Sequence, residues 1–404
     1  MKRRAFLAAA ATLPAARRAL AEGCAVSAGL ERLATAVPSL RGRRVGLLAH
    51  AASVTADGRH AIDVLRSARV DLVRLFGPEH GLRGGAAAGE AVTSGLDTAS
   101  GLPVVSLYGE RSAPSARDLQ GLDVLVIDLQ DAGVRFYTYA STMLLCLEAA
   151  AAAGLGVVVL DRPNPLGGVR MDGPERDPAR PRSLVSLVPG PLVHGLTLGE
   201  LARFANARLR QPARLVVVEM QGWSRSMTWQ DTGRAWTNPS PNLRSAEACL
   251  AYPGTCLLEA TNVSEGRGTE APFLLLGAPW LDAEAIAREA AGDGFALEPA
   301  AFTPVASPAA AQPKHAGVAC RGVRVRVTDT AVARPWALGL RLLVALRRRC
   351  EFAWTRDGAG LDTLTGSSAV RSALERGDAV ESILASEAPA VERWREARQA
   401  ALLY

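Results

Sequence analysis

Glu79 and His80 stand side by side in Phe76-Gly77-Pro78-Glu79-His80-Gly81, directly after an apolar run from Asp71 to Phe76. A carboxylate beside an imidazole can supply general acid and base catalysis. Pro78 and the flanking glycines set an unusual backbone path, so a shaped turn presents the pair rather than a solvated helix face. Open α/β sheets place their chemistry in such turns, beyond the carboxyl ends of the strands. Taken alone, the segment also reads as a surface turn that happens to carry two polar residues.

Other polar clusters fall at similar places. Asp128 to Tyr139 follows the apolar run that begins at Val124 and brings together Gln130, Asp131, Arg135 and Tyr137. That density at a strand end is expected of a small-molecule site. Asp161-Arg162-Pro163-Asn164-Pro165 ends the next run, where Asp161 and Arg162 read either as a local ion pair or as ligand contacts. Farther on, Glu259 to Thr269 is a polar turn that carries Asn262, Glu265 and Arg267 with two glycines. Trp236 to Asn242 adds an aromatic ring and two amides, the mixture that stacks on sugar faces and bonds hydroxyls, although Trp236 also reads as a satellite core residue. Lys314-His315 precedes a strand and is placed to cover the same cleft.

The elements that must position these residues follow from hydropathy. Val45 to Ala49, Leu72 to Phe76, Val104 to Leu107, Val124 to Leu129 and Val157 to Leu160 are near-continuous apolar runs without alternation, as in strands covered on both faces. Helical stretches Ile62 to Ser67 and Ser141 to Ala153 lie between them, and Thr197 with Glu200 forms a capping box at the start of another helix. The expected fold class is α/β, a Rossmann-like mostly parallel sheet domain over residues 38–212 followed by a smaller α+β domain over 213–404 that completes the cleft. No G-x-G-x-x-G follows the first strand, where Ala49-His50-Ala51-Ala52-Ser53 stands instead, so a dinucleotide cofactor is not expected. The Ala/Pro stretch from Pro304 to Pro313 reads as a loop.

Composition narrows the function classes. At 404 residues and 49% hydrophobic content, the chain exceeds the usual single-domain size. Its formal charge of +6 is spread along the sequence, with no basic block interleaved with aromatics, so no nucleic-acid partner is expected. Six cysteines show no C-x-x-C spacing, which gives no zinc or other metal site; Cys249 and Cys256 read either as a pair or, with the rest, as buried free thiols. Lys2-Arg3-Arg4-Ala5-Phe6-Leu7 opens a short Ala-rich apolar stretch that ends at Ala19-Leu20-Ala21. This pattern predicts a twin-arginine signal peptide over residues 1–21, a mature chain beginning near Glu22 in the periplasm or outside the cell, and no integral membrane segment after signal removal. Cys24 lies in a poor lipobox.

In order along the chain, FGPEHGLRG (Phe76 to Gly84), Val105 to Glu110, IDLQDAGVRFYTY (Ile127 to Tyr139), LDRPNPLGG (Leu160 to Gly168), His194 to Leu201, Asn238 to Asn242, Tyr252 to Thr269, Lys314 to Asp329 and the terminal Leu402-Leu403-Tyr404 resemble the NamZ-type exo-β-N-acetylmuramidases. The resemblance covers essentially the whole mature chain. It implies hydrolysis of terminal non-reducing β-linked N-acetylmuramic acid from peptidoglycan fragments, with the site between a Rossmann-like and a smaller domain. Glu79 matches the family's proposed catalytic residue. Glycoside cleavage needs an acid at the leaving oxygen and usually a second carboxylate. Glu79 is expected as the acid, Glu265 or Asp131 as its partner unless the substrate acetamido group takes that part, and His80 as an orienting group. The lactyl carboxylate calls for a cation, with Arg267 first, then Arg83, then Arg135. Gln130, Asp131, Tyr137, Asn164, Asn242 and Asn262 complete the expected substrate contacts. The alternative class is a non-catalytic periplasmic sugar- or muropeptide-binding protein; an ester hydrolase lacks its G-x-S-x-G elbow.

Overall fold

Seven strands form the larger sheet: β1 (Arg44–Ala49), β2 (Asp71–Gly77), β3 (Gly95–Asp97), β4 (Leu102–Ser106), β5 (Val124–Asp128), β6 (Gly156–Leu160) and β7 (Arg214–Val218). The computed structural model describes residues 25–404, so the expected signal peptide and Cys24 lie outside the described residues. The order is β3-β4-β2-β1-β5-β6-β7, parallel throughout except for the β3/β4 edge pair. The order in which strands are added to the sheet reverses between β1 and β5, as in a doubly wound fold.

Both faces of this sheet are covered, which explains the unbroken apolar runs. Neighbouring strand residues point to opposite sides. Leu47, Leu75, Val126 and Val158 join one cluster with Ile62 and Leu65 of helix Ala61–Ser67. Leu48, Phe76, Ile127 and Val159 join another with Met143 and Leu147 of helix Thr138–Ala152. That second cluster runs on without a break to Trp336, Leu338 and Leu343 of helix Pro335–Arg347, so the two units share one core.

The smaller unit has an antiparallel sheet, β8 (Leu275–Ala278), β9 (Phe295–Phe302) and β10 (Cys320–Val327), in the order β8-β10-β9. Helices Ala246–Thr255, Ala283–Ala290 and Pro335–Arg347 pack with it. The expected division at residues 212 and 213 is corrected in one respect. β7 pairs parallel with β6 and so belongs to the first sheet, which the polar sequence on either side of it concealed.

The C-terminal segment returns to the first unit. Trp394 Nε1 donates to His194 O at 2.8 Å, and the Tyr404 hydroxyl donates to Asp161 Oδ2 at 2.8 Å. Asp161 and Arg162 are therefore not an ion pair: Asp161 also accepts from Thr197 Oγ1 and Gly199 N, and Arg162 pairs with Asp128 at 2.5 and 2.8 Å. Thr197 and Glu200 form the expected capping box.

Glu387, on helix Val380–Ala397, is buried against this shared core and accepts a hydrogen bond from Trp336 Nε1 at 2.8 Å. Burial pushes its carboxyl up to about 8. A group whose folded-state pKa is raised stabilises the fold below its unfolded value and loses that contribution as pH rises through the folded value. Glu387→Gln, which keeps an acceptor for Trp336, should therefore gain stability relative to the unsubstituted protein between pH 5 and pH 8, on the order of a few kcal/mol. Denaturant unfolding of both proteins across that pH range checks the slope.

Candidate active site

A cleft of about 730 Å³ opens where the carboxyl ends of the β2 and β5 strands face the second unit. β2 ends at Gly77, where a Cβ would meet the Leu82 amide at 2.9 Å, so the chain can turn this tightly only without a side chain. Gly81 N donates to Pro78 O at 2.9 Å and closes the turn, with His80 held at φ 68°. Such a conformation is costly for a residue with a Cβ and persists where the surroundings over-determine it.

Glu79 and His80 both line the cleft. The Glu79 carboxyl accepts from Thr138 Oγ1 at 2.8 Å and from Gly89 N at 3.0 Å, and the Tyr108 hydroxyl faces it. Tyr108 has its phenol pushed up by burial and by the Glu79 charge. His80 Nδ1 lies 2.9 Å from Ala86 O. A carbonyl only accepts, so Nδ1 carries the proton and a neutral His80 keeps Nε2 as an acceptor. Burial pushes the imidazole below its usual range, against the opposing field of Glu79.

The facing wall is the polar turn. Gly266, at φ 82°, packs so closely that a Cβ would meet Leu275 O at 2.3 Å. This approach seats Arg267 over the Phe273 ring, 5.1 Å from its centroid. Arg267 Nη2 bonds Glu259 Oε1 at 2.5 Å, and its Nε lies 3.4 Å from Glu265 Oε1. Burial works against the charge of this guanidinium, and Glu259 and Glu265 outweigh it, so its pKa is raised. Lys314 Nζ donates to Glu265 Oε2 at 3.0 Å and to the carbonyls of Leu258 and Val263, spending all three donors. Glu79, His80, Tyr137, Glu265 and Arg267 thus share one cleft. Tyr108, Thr138 and Lys314 complete it. The signal of the first two in the sequence is slight, a Tyr in the matched Val105 to Glu110 segment and a Thr next to Tyr137, whereas Lys314 is placed over the cleft with His315.

The other expected contacts face elsewhere, and each is a correction. Arg135 is fully buried, donating to Gly190 O at 2.7 Å, Pro174 O at 2.9 Å and Thr365 O at 2.5 Å, so no donor edge reaches a ligand. Arg83 turns to Asp97 in a two-point pair at 3.0 and 2.8 Å and holds that carboxyl down at about 2. Asp131 is buried, accepts from Gly133 N at 2.7 Å and sits beside His194, which removes it as a catalytic partner. Gln130 donates to Asp131 O and Pro163 O, both at 2.9 Å, and lines a separate small cavity with Arg162.

Asn164 braces its own turn through Leu196 O and Leu166 N. Asn262 ties the polar turn to Glu351 O and Ala353 N. Asn242 is buried and supports the cleft from behind, its Nδ2 donating at 2.7 Å to Ala309 O in the Pro304 to Pro313 loop, part of which lines the site. Trp236 packs on the core with its Nε1 on Leu243 O and its ring against Trp229. Cys249 and Cys256 are buried and unbridged.

A larger depression of about 1040 Å³ lies elsewhere, lined by Arg170, Arg225, Asp172 and Asp231. Arg170 spends its guanidinium on three carbonyls, Asp231 caps Thr228, and no Glu or His lines the depression. The glutamates and the histidine line the smaller cleft. No group of residues able to hold a metal ion occurs among the described residues, and no described helix is long and apolar enough to cross a membrane.

Comparison with known proteins places this geometry. Two family models match in tandem, "Exo-beta-N-acetylmuramidase NamZ, N-terminal" over residues 45–247 and its C-terminal counterpart over 250–404. Peptidoglycan β-N-acetylmuramidase NamZ of Bacillus subtilis (strain 168) is 39% identical over 371 residues, 90% of this chain and 88% of that protein. Two crystal structures of DUF1343 family proteins from Bacteroides fragilis NCTC 9343 superpose with TM-scores of 0.84 and 0.77, at 31% and 30% identity, each covering 94% of this chain and 99% of its own.

Because Arg135 is a structural cation, Arg135→Met should act on stability. Three buried carbonyls lose their donors, which costs roughly 3–5 kcal/mol or more. Denaturant unfolding of the variant should show that loss, whereas Arg83→Met, whose guanidinium is half exposed, should cost less, on the order of 1–2 kcal/mol.

Proposed function

The chain belongs to the NamZ family of exo-β-N-acetylmuramidases, and on that premise we propose that it hydrolyses the terminal, non-reducing β-linked N-acetylmuramic acid of peptidoglycan fragments, in cell-wall turnover or recycling. One observation carries the reading: Glu79, with neutral hydrogen-bond donors, lies across one cleft from Glu265 and Arg267, the latter a cation over an aromatic ring. Glycoside cleavage calls for a proton donor and a second anionic or nucleophilic group in one site.

In this mechanism Glu79 protonates the leaving glycosidic oxygen as the bond to the sugar's anomeric carbon breaks. Glu265, or the substrate's own acetamido oxygen, stabilises the developing positive charge from the other side, and water then takes the anomeric position while Glu79 recovers its proton. His80 orients the reacting groups through its free Nε2. Arg267 is the cation of the cleft offered to the lactyl carboxylate that distinguishes muramic acid from glucosamine.

Glu79→Gln should reduce turnover of unactivated substrate by roughly 10²- to 10⁴-fold and leave folding intact. Near-normal turnover in that variant would falsify the assignment. Arg267→Met should lower the muramide-to-glucosaminide ratio of kcat/KM by about ten- to hundredfold. Parallel assays on a chromogenic β-N-acetylmuramide and the matching glucosaminide read both effects.

Export by the twin-arginine route, to the periplasm or the medium, is supported by Arg3-Arg4, the short apolar stretch and Ala19-Leu20-Ala21. The mature protein should begin at Glu22 or a neighbour by N-terminal sequencing. Replacing Arg3 and Arg4 by Lys should leave the precursor inside the cell; normal export of that variant would point to the general secretory route.

A further inference from the structure

The cleft holds a charge pattern that does not suit an anionic sugar as it stands. Four carboxylates line it, Glu79, Glu90, Glu259 and Glu265, against the two cations Arg267 and Lys314. Lys314 has no donor left for a ligand. Arg267 already holds a carboxylate, because its Nη2 bonds Glu259 Oε1 at 2.5 Å.

The two acids on Arg267 are not equivalent. The Glu265 side chain is 5% exposed and is braced by Lys314 as well. Glu259 comes from the short 3-10 turn Cys256–Ala260, its side chain is 32% exposed, and Arg267 is its one ionic partner among the described residues. Swinging Glu259 off the guanidinium returns a carboxylate to water. Moving Glu265 would take a buried carboxylate off both of its cations.

We propose that Glu259 occupies, in the free protein, a position on Arg267 that the carboxylate of the substrate takes over, and that it is thereby a specificity-determining residue. The inference rests on the muramidase reading and adds a mechanism of discrimination to it. A sugar that brings its own carboxylate exchanges with Glu259 and keeps Arg267 paired. A neutral sugar leaves the Arg267–Glu259 pair intact and gains nothing from the guanidinium. Direct attraction to Arg267 then supplies the selectivity, and competition from Glu259 inside the cleft sets how much of it the muramide retains.

The test is steady-state kinetics on the chromogenic muramide and glucosaminide with the mature protein, Glu259→Gln, Arg267→Met and the double variant. Removing the internal competitor should lower the muramide KM by roughly three- to tenfold and raise the muramide-to-glucosaminide ratio of kcat/KM by the same factor. In the Arg267→Met background the same substitution should have no such effect, which closes the cycle. An unchanged or raised muramide KM in Glu259→Gln means that Glu259 aims the guanidinium, and the exchange is overturned. An equal fall in both backgrounds assigns the effect to diffuse charge and overturns it too. A preference of the unsubstituted protein for the glucosaminide is a separate result, which overturns the muramidase reading and the exchange with it.

Discussion

The buried guanidinium of Arg135 is the constraint on which the arrangement of the cleft depends. Its hydrogen bonds join three stretches of chain, at Pro174, Gly190 and Thr365, the last of them in the smaller unit. Burial lowers its pKa to about 10, still charged at any physiological pH. A cation so placed holds by satisfying carbonyls that have no access to water, and losing it would leave them unpaired. Phe136, Tyr137 and Thr138 follow immediately, and all three line the cleft. The wall that holds Glu79 is thus anchored to the unit that carries Glu265 and Arg267. The C-terminal contacts of Trp394 and Tyr404 with the first unit reinforce the same junction.

Local strain sits on both walls of this rigid frame. His80 and Phe273 adopt left-handed backbone, at φ 68° and 65°, and neither is a glycine. His80 is held by Ala86 O and by the Gly77 turn, Phe273 by the bond from its own amide to Glu265 O at 2.7 Å. On one side the unusual conformation lies next to Glu79, and on the other it belongs to the residue whose own ring lies beneath Arg267. Cores shared across two units can support such positions because their packing resists relaxation.

Much of the frame is legible in the sequence, since unbroken apolar runs, the capping box at Thr197 and the Glu79 turn all have short-range signatures. The site was legible only in part. Asp128 to Tyr139 is dense in polar residues, and residue type does not say which way each side chain points. Arg135 and Asp131 serve buried backbone there, whereas Tyr137 and Thr138 line the cleft. Arg83 was misjudged because its partner, Asp97, lies on the edge strand β3, which has no apolar signature of its own. Lys314 meets Glu265 only through the packing of the Pro304 to Pro313 loop region against the polar turn, a contact between segments distant in sequence.

The division of labour proposed for the two glutamates follows from their partners rather than from their positions alone. Glu79 is held by a hydroxyl and an amide, and the phenol of Tyr108 faces it. Glu265 is held by two cations. A group that gives up and recovers a proton in each turnover works best when neither step breaks an ion pair, because the cost of a stranded cation would be added to the barrier. Glu79 meets that requirement and Glu265 does not. A carboxylate fixed between cations is instead suited to remain an anion while positive charge develops on the sugar, a role in which preorganised charge contributes without moving. The asymmetry of the two walls, neutral donors on one side and paired charges on the other, thus separates proton transfer from charge stabilisation within a single cleft.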